Sequence, residues 1–175
     1  MKLPTLSVIT PSYNSAEFLE DALLSVVGQQ GPCVEHIVMD CASTDNTLEI
    51  LNRFPHVQWI SEPDKGQSDA INKGFLRATG DLMGWLNADD YYLLGGLQAI
   101  AHAAKQHPKA DVIYGDCVFV DSTGKIVRSK VEHDFDPAIL IVFRLLHSID
   151  LDIYSPARHR LGVTARPRLP GMHGL

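Results

Sequence analysis

Short β-rich apolar runs alternate with segments of helical spacing over the first 115 residues of this 175-residue chain, and that alternation leaves few folds open. "LSVIT" (Leu6–Thr10), "EHIVMD" (Glu35–Asp40), "VQWIS" (Val57–Ser61), "LMGWL" (Leu82–Leu86) and "DVIYG" (Asp111–Gly115) have the length and composition of buried strands. Between them, "AEFLEDALLSVV", "TLEILNRF", "DAINKGFLRA" and "GLQAIAHAAKQH" read as helices, the first with Phe18, Leu19, Ala22, Leu23, Val26 and Val27 on one apolar face. Ser43, Thr44 and Asp45 are good N-caps for the second helix, and Gly80 is expected to close the third. "CVFVDSTGKIVRS" predicts a β-hairpin near 114–130. A β-α-β-α-β order implies an α/β fold, a mostly parallel Rossmann-like sheet with helices on both faces.

In such sheets ligands bind beyond the carboxyl ends of the strands. The loops at that edge are "PSYNS", "DCASTD", "EPDKGQSD" and "NADD", all polar and three of them acidic. An acidic crescent repels a bare phosphate and makes sense if a cation arrives with the ligand. Asp89 and Asp90 are hard oxygen donors suited to Mg²⁺ or Mn²⁺, although an Asp-Asp pair also serves as a helix cap. Asp40 is either a turn residue or an acceptor for a nucleobase N–H, and Lys65 either a surface lysine or a phosphate contact. Ser68 and Asp69 open a helix and serve equally well as caps. Trp85 is expected to pack in the core, and His36, His56, His102 and His107 share no ligand spacing.

Composition narrows the partners. The net charge is −6 and no basic block stands in the first 150 residues, so nucleic acid is not expected. Cys33, Cys41 and Cys117 form no C-x-x-C pair and fit reduced thiols in a cytoplasmic compartment. No stretch reaches the roughly 18 apolar residues that span a bilayer.

Four ordered segments, "LSVITPSYNSAEFLEDALLSV", "HIVMDCASTDNTLEIL", "SEPDKGQSDAINKGFLRATGD" and "GWLNADD", resemble the family 2 glycosyltransferases of the GT-A fold. The resemblance covers about Leu6 to Lys130. It implies transfer of a sugar, with inversion, from a nucleotide-diphosphate sugar to a glycan or lipid-linked acceptor, as in the synthesis of bacterial polysaccharides and glycolipids. It also implies peripheral contact with the inner face of the membrane. By this resemblance Pro11, Tyr13, Asp40 and Asp45 fall where the family holds the nucleoside, with Lys65 and Asn87 also toward the nucleotide. Ser68, Asp69 and Asp90 fall toward the sugar, and Asp89, the last carboxylate of a D-x-D-like motif, is the expected ligand of a Mn or Mg ion. Two positions depart from the pattern. Asn87 stands at the first D-x-D position and contributes no charge, and Ile71 stands where many relatives have an arginine.

The resemblance divides the chain into a donor domain, 1–130, and an incomplete or atypical acceptor-side segment with a basic tail, 131–175. Inverting transfer needs a general base near the acceptor hydroxyl, and none is legible here. After Val142 periodicity fades and Arg158, Arg160, Arg166 and Arg168 cluster with Pro, His and Gly. One reading is a basic tail that touches acidic lipid or a partner. The favoured expectation is a frameshift product: back-translated and read one nucleotide later, this stretch yields a sequence resembling the family's acceptor side. Two other functions fit less well. A non-catalytic nucleotide- and metal-binding module agrees with the missing base. A nucleotidyltransferase would carry a Gly-rich basic loop where "PSYNSAEFL" stands.

Overall fold

The computed structural model describes residues 2–121 and 124–130. They fall into two units divided after Lys105. The first carries β1 (Leu6–Ser12), α1 (Leu19–Val27), β2 (Val34–Asp40), α2 (Thr47–Asn52), β3 (Gln58–Ser61), α3 (Gln67–Phe75) and β4 (Leu82–Trp85), with α4 (Gly96–Gln106) at its end. The four strands are parallel in the order β3-β2-β1-β4. The sheet therefore grows outward from β1 through β2 and β3, then reverses to add β4 on the other side. A reversal of this kind opens a crevice at the strands' carboxyl ends.

Side chains alternate between the faces of β1 and β2, as a period of two requires. Leu6, Val8 and Val38 point to one face, where α1, α2 and α4 bring Ala22, Leu23, Leu51 and Leu97 against them. Ile9, Ile37 and Met39 point to the other, where α3 supplies Ala70. Helices thus cover both faces, as the sequence implies. On the α3 face contact is very close: a Cβ on Gly74 would lie 2.4 Å from Cγ2 of Ile9. Only glycine lets this helix lie so near the strand. Beneath α3, the Glu35 carboxylate accepts the Ser7 hydroxyl at 2.6 Å and the Thr79 N–H at 2.9 Å, tying the return loop to the sheet.

Three expectations are corrected. Gly80 does not close α3, which ends at Phe75 with its C-cap at Leu76. Gly80 instead crosses β1, where a Cβ would meet the Ser7 nitrogen at 2.7 Å. Trp85 is not a core residue. It is 52% exposed, because β4 is an edge strand and its α3-side face lies beyond the cover of that helix. Residues 111–115 form no strand. Val112 is exposed, so the run lacks the burial that would favour a sheet position. The predicted hairpin is present in the second unit as antiparallel β5 (Cys117–Val120) and β6 (Ile126–Lys130). Its turn is closed by Gly124 N–H to the Asp121 carbonyl at 2.9 Å. The expectations placed on 131–175, including the frameshift, lie outside the described residues.

Candidate functional site

An open cleft of about 700 Å³ lies at the carboxyl ends of the strands of the first unit. Its walls come from the loop after β1, the start of α3 and the loop after β4. Pro11 is tolerated in central β1 because the β4 ladder has already ended there. The last bond on that side runs from Leu86 N–H to the Ile9 carbonyl, so the missing N–H of Pro11 leaves no gap in the ladder. Tyr13, two residues on, is 65% exposed and lines the cleft.

The loops after β1 and β2 are laced together by side-chain bonds to backbone N–H groups. Asn14 N–H donates to Ser43 Oγ at 2.8 Å, and Thr44 N–H donates to Asn14 Oδ1 at 2.9 Å. Ser15 N–H donates to Thr47 Oγ1, and Ala16 N–H donates to Asp45 Oδ2. Asn14 adopts a left-handed conformation, φ 47°, which asparagine tolerates better than most residues.

Most acidic residues at this edge are committed to such bonds. Asp40 is buried and accepts the Ser43 N–H at 3.0 Å, the Ser43 hydroxyl, and the Ser61 hydroxyl at 2.6 Å. Asp45 also accepts Thr47 N–H at 3.0 Å. Hydrogen bonding by Thr47, then by Ala16, holds its carboxyl below the usual range. Asp64 accepts the Gly66 N–H at 2.7 Å. Asp69 accepts the Lys65 N–H and pairs with Lys73 at 3.3 Å, and these contacts, that from Lys65 first, lower its pKa. The side chain of Lys65 is exposed and outside the cleft lining, and Ser68 is half-buried on the first turn of α3.

The loop after β4 differs. Leu86 and Ala88 are buried against the α1 side of the sheet, so the alternation turns Asn87 and Asp89 outward into the cleft wall. Asn87 Oδ1 accepts from Gln67 Nε2 at 2.7 Å, and Asn87 Nδ2 donates to Asp90 Oδ2 at 2.9 Å. Of the carboxylates lining the cleft, Asp64 and Asp89, only Asp89 has no hydrogen-bond or ion-pair partner among the described residues.

Of the residues singled out in the sequence, the structure brings Pro11, Tyr13, Asn87 and Asp89 to the cleft wall. Asp40 and Asp45 stand behind it as loop supports, and Lys65, Ser68, Asp69 and Asp90 are not among its lining residues. Sequence reasoning passed over Asn14, Cys41, Asp64 and Gln67, which do line it. Position was the available signal: Cys41 directly follows Asp40, and Asp64 and Gln67 flank the Lys65–Gly66 pair.

Among the described residues no group of three or more His, Cys, Asp or Glu side chains is placed to hold a metal ion. The donor set suits a hard divalent ion only through Asp89, with the other ligands brought by an oxygen-rich ligand and water. No described helix is long and apolar enough to cross a membrane.

The fold and the cleft at its strand reversal define a doubly wound α/β protein of the GT-A kind. The family model of glycosyl transferase family 2 matches residues 7–159, and the chain belongs to that family. A Bacillus subtilis protein named for teichuronic acid biosynthesis, the glycosyltransferase TuaG, is 40% identical over 93 residues, 50% of this chain and 36% of its own length. A PGL/p-HBAD biosynthesis glycosyltransferase of Mycobacterium bovis is 34% identical over 124 residues, 67% of this chain and 48% of its own length. The S. aureus protein TarS (1–349), solved in complex with UDP-GlcNAc, superposes with a TM-score of 0.58 at 28% identity, over 66% of this chain and 34% of TarS 1–349. The mannosyltransferase PcManGT of Pyrobaculum calidifontis, solved with GDP-Man and Mn²⁺, gives 0.56 at 28% identity, over 67% of this chain and 36% of its own. The chain thus spans less than half the length of these relatives.

Proposed function

We propose that this chain forms the donor half of a metal-dependent, inverting glycosyltransferase that takes a nucleotide-diphosphate sugar. The observation that carries the reading is Asp89: a carboxylate without a partner among the described residues, turned into the cleft at the carboxyl ends of the strands. Solved relatives complexed with UDP-GlcNAc and with GDP-Man and Mn²⁺ support a uridine or guanosine diphosphate sugar as donor.

In this reading the exposed Tyr13 ring and Pro11 receive the base. Asp40 and Asp45 act on the nucleoside from behind, by fixing the loops that carry these two residues. Asp89 holds a Mn²⁺ or Mg²⁺ ion, which when bound neutralises the departing diphosphate. Asn87 faces the diphosphate from the cleft wall, and Lys65, Ser68, Asp69 and Asp90, outside the lining, act on the diphosphate and sugar side through the loops they belong to. The acceptor oxygen attacks the anomeric carbon as the nucleoside diphosphate leaves from the opposite face, and a base removes the acceptor's proton. No described residue is assigned that last role. Relatives named for teichuronic acid and PGL/p-HBAD biosynthesis support a role in building a glycan or glycoconjugate; a glycan or lipid-linked acceptor, reached at the inner face of the membrane, is part of the proposal.

The test is calorimetric titration of the chain with UDP and GDP, with and without Mn²⁺. Metal-dependent binding that is lost in Asp89→Ala, with an unchanged urea midpoint, is the expected result. Absence of binding by either nucleotide in Mn²⁺ would remove the donor-site reading, and undiminished binding by the variant would remove Asp89 from the metal.

A further inference from the structure

Asn87 has both ends of its amide in use. Its oxygen takes the Gln67 amide, on the first residue of α3, and its nitrogen holds an Asp90 oxygen at 2.9 Å. The turn is also closed along the backbone, Asp90 N–H to the Asn87 carbonyl at 3.1 Å. The side-chain bonds form a short chain from the donor-side helix to the acidic loop, and Asp89 is outside it. An aspartate at 87 would accept from Gln67 equally well. It would have no N–H for Asp90, and two carboxylates would then face each other across a hydrogen-bond distance, an arrangement that a cation relieves.

We propose that Asn87 is a positioning residue that holds Asp90 away from the cation and adds no third carboxylate to the loop, so that the cation binds only together with the nucleotide diphosphate. This rests on the donor-site reading above. Two independent observations carry it. The amide is oriented by Gln67 so that its nitrogen, the end that can restrain a carboxylate, faces Asp90. No three-ligand cluster exists among the described residues to capture an ion unaided. With Asp90 Oδ2 held by the amide, Asp89 is the loop carboxylate with both oxygens free of protein partners among the described residues, and phosphate oxygens complete the coordination shell.

The experiment measures Mn²⁺ binding by electron paramagnetic resonance, in the absence and presence of UDP or GDP. It compares the wild-type chain with Asn87→Asp and Asn87→Ala, each checked for an unchanged urea midpoint. Wild type is expected to retain Mn²⁺ only with nucleotide. Asn87→Asp is expected to bind Mn²⁺ alone about tenfold more tightly than wild type, the size expected of one unit charge added a few ångströms from a divalent ion in a wet site. Asn87→Ala frees Asp90 without adding charge and is expected to show a smaller gain. The added charge accounts for a gain in Asn87→Asp under any role, so the discriminating result is Asn87→Ala: a purely structural role predicts no gain there, and the absence of a gain would overturn the positioning role. Equal binding of Mn²⁺ alone by wild type and Asn87→Asp overturns the proposal, as does wild-type binding that nucleotide does not strengthen. If neither nucleotide binds any variant in Mn²⁺, the donor-site reading itself has failed, an outcome distinct from both.

Discussion

Protonation of His36 sets a limit on the acid stability of this fold. The ring is buried on β2, with Nε2 2.9 Å from Thr10 Oγ1, while Nδ1 has no partner among the described residues. Burial first, and the nearby charge of His56 second, depress its pKa from 6.5 to about 4. The folded state therefore refuses a proton that the unfolded chain accepts below pH 6.5. Stability is unaffected above that pH and declines as pH falls from 6.5 toward 4. The full difference, 6.5 − 4 = 2.5, at about 1.4 kcal/mol per unit, amounts to roughly 3 kcal/mol. That is a large share of the roughly 5–15 kcal/mol that holds a domain together. Carboxylates titrate in the same window, so the comparison must be differential: urea unfolding of wild type and His36→Gln at intervals from pH 4.5 to 7.5. The two stability curves should run parallel above pH 6.5 and diverge below it. Wild type should lose about 2–3 kcal/mol more than the variant by pH 4.5. Curves that stay parallel throughout would show that the folded protein protonates His36 freely, and the burial argument would be wrong.

Two further outcomes follow from the packing and the cleft. Gly74→Ala should destabilise the chain by about 1–3 kcal/mol through its clash with Ile9, and the double variant with Ile9→Val should recover part of the loss in urea midpoint. Cys41 lines the cleft whereas Cys33 and Cys117 are exposed outside it, so UDP or GDP with Mn²⁺ should slow alkylation of Cys41 alone, as read by mass spectrometry. Equal protection of all three thiols would point to a global effect rather than an occupied cleft.

Much of the fold was legible because it is periodic. The parallel strands and their helices lie within a few residues of where their apolar spacing predicts, since local geometry and burial agree there. The D-x-D-like loop was legible through the family resemblance and its place after an apolar strand, and the structure adds that buried Leu86 and Ala88 alternate with outward Asn87 and Asp89. What spacing does not carry is the destination of a polar side chain. Asp40, Asp45 and Asp89 look alike in the sequence. The first two are consumed by donors, some about thirty residues away on another loop, and only the third is left for a ligand. Trp85 misled for a related reason. Its strand is apolar, but whether a strand is central or at an edge depends on the order of strands in the sheet.

The lacing of the loops after β1 and β2 also bears on how fast a ligand can be accepted. Loops fixed by bonds such as those of Asn14, Ser43 and Asp45 have little conformational freedom left to lose when a nucleotide arrives. On the donor-site proposal, the cleft wall around Tyr13 is in this sense set at the moment the chain folds. Capture should then resemble docking onto a rigid surface, with affinity differences between bases expressed in how long each remains bound rather than in how quickly each is found.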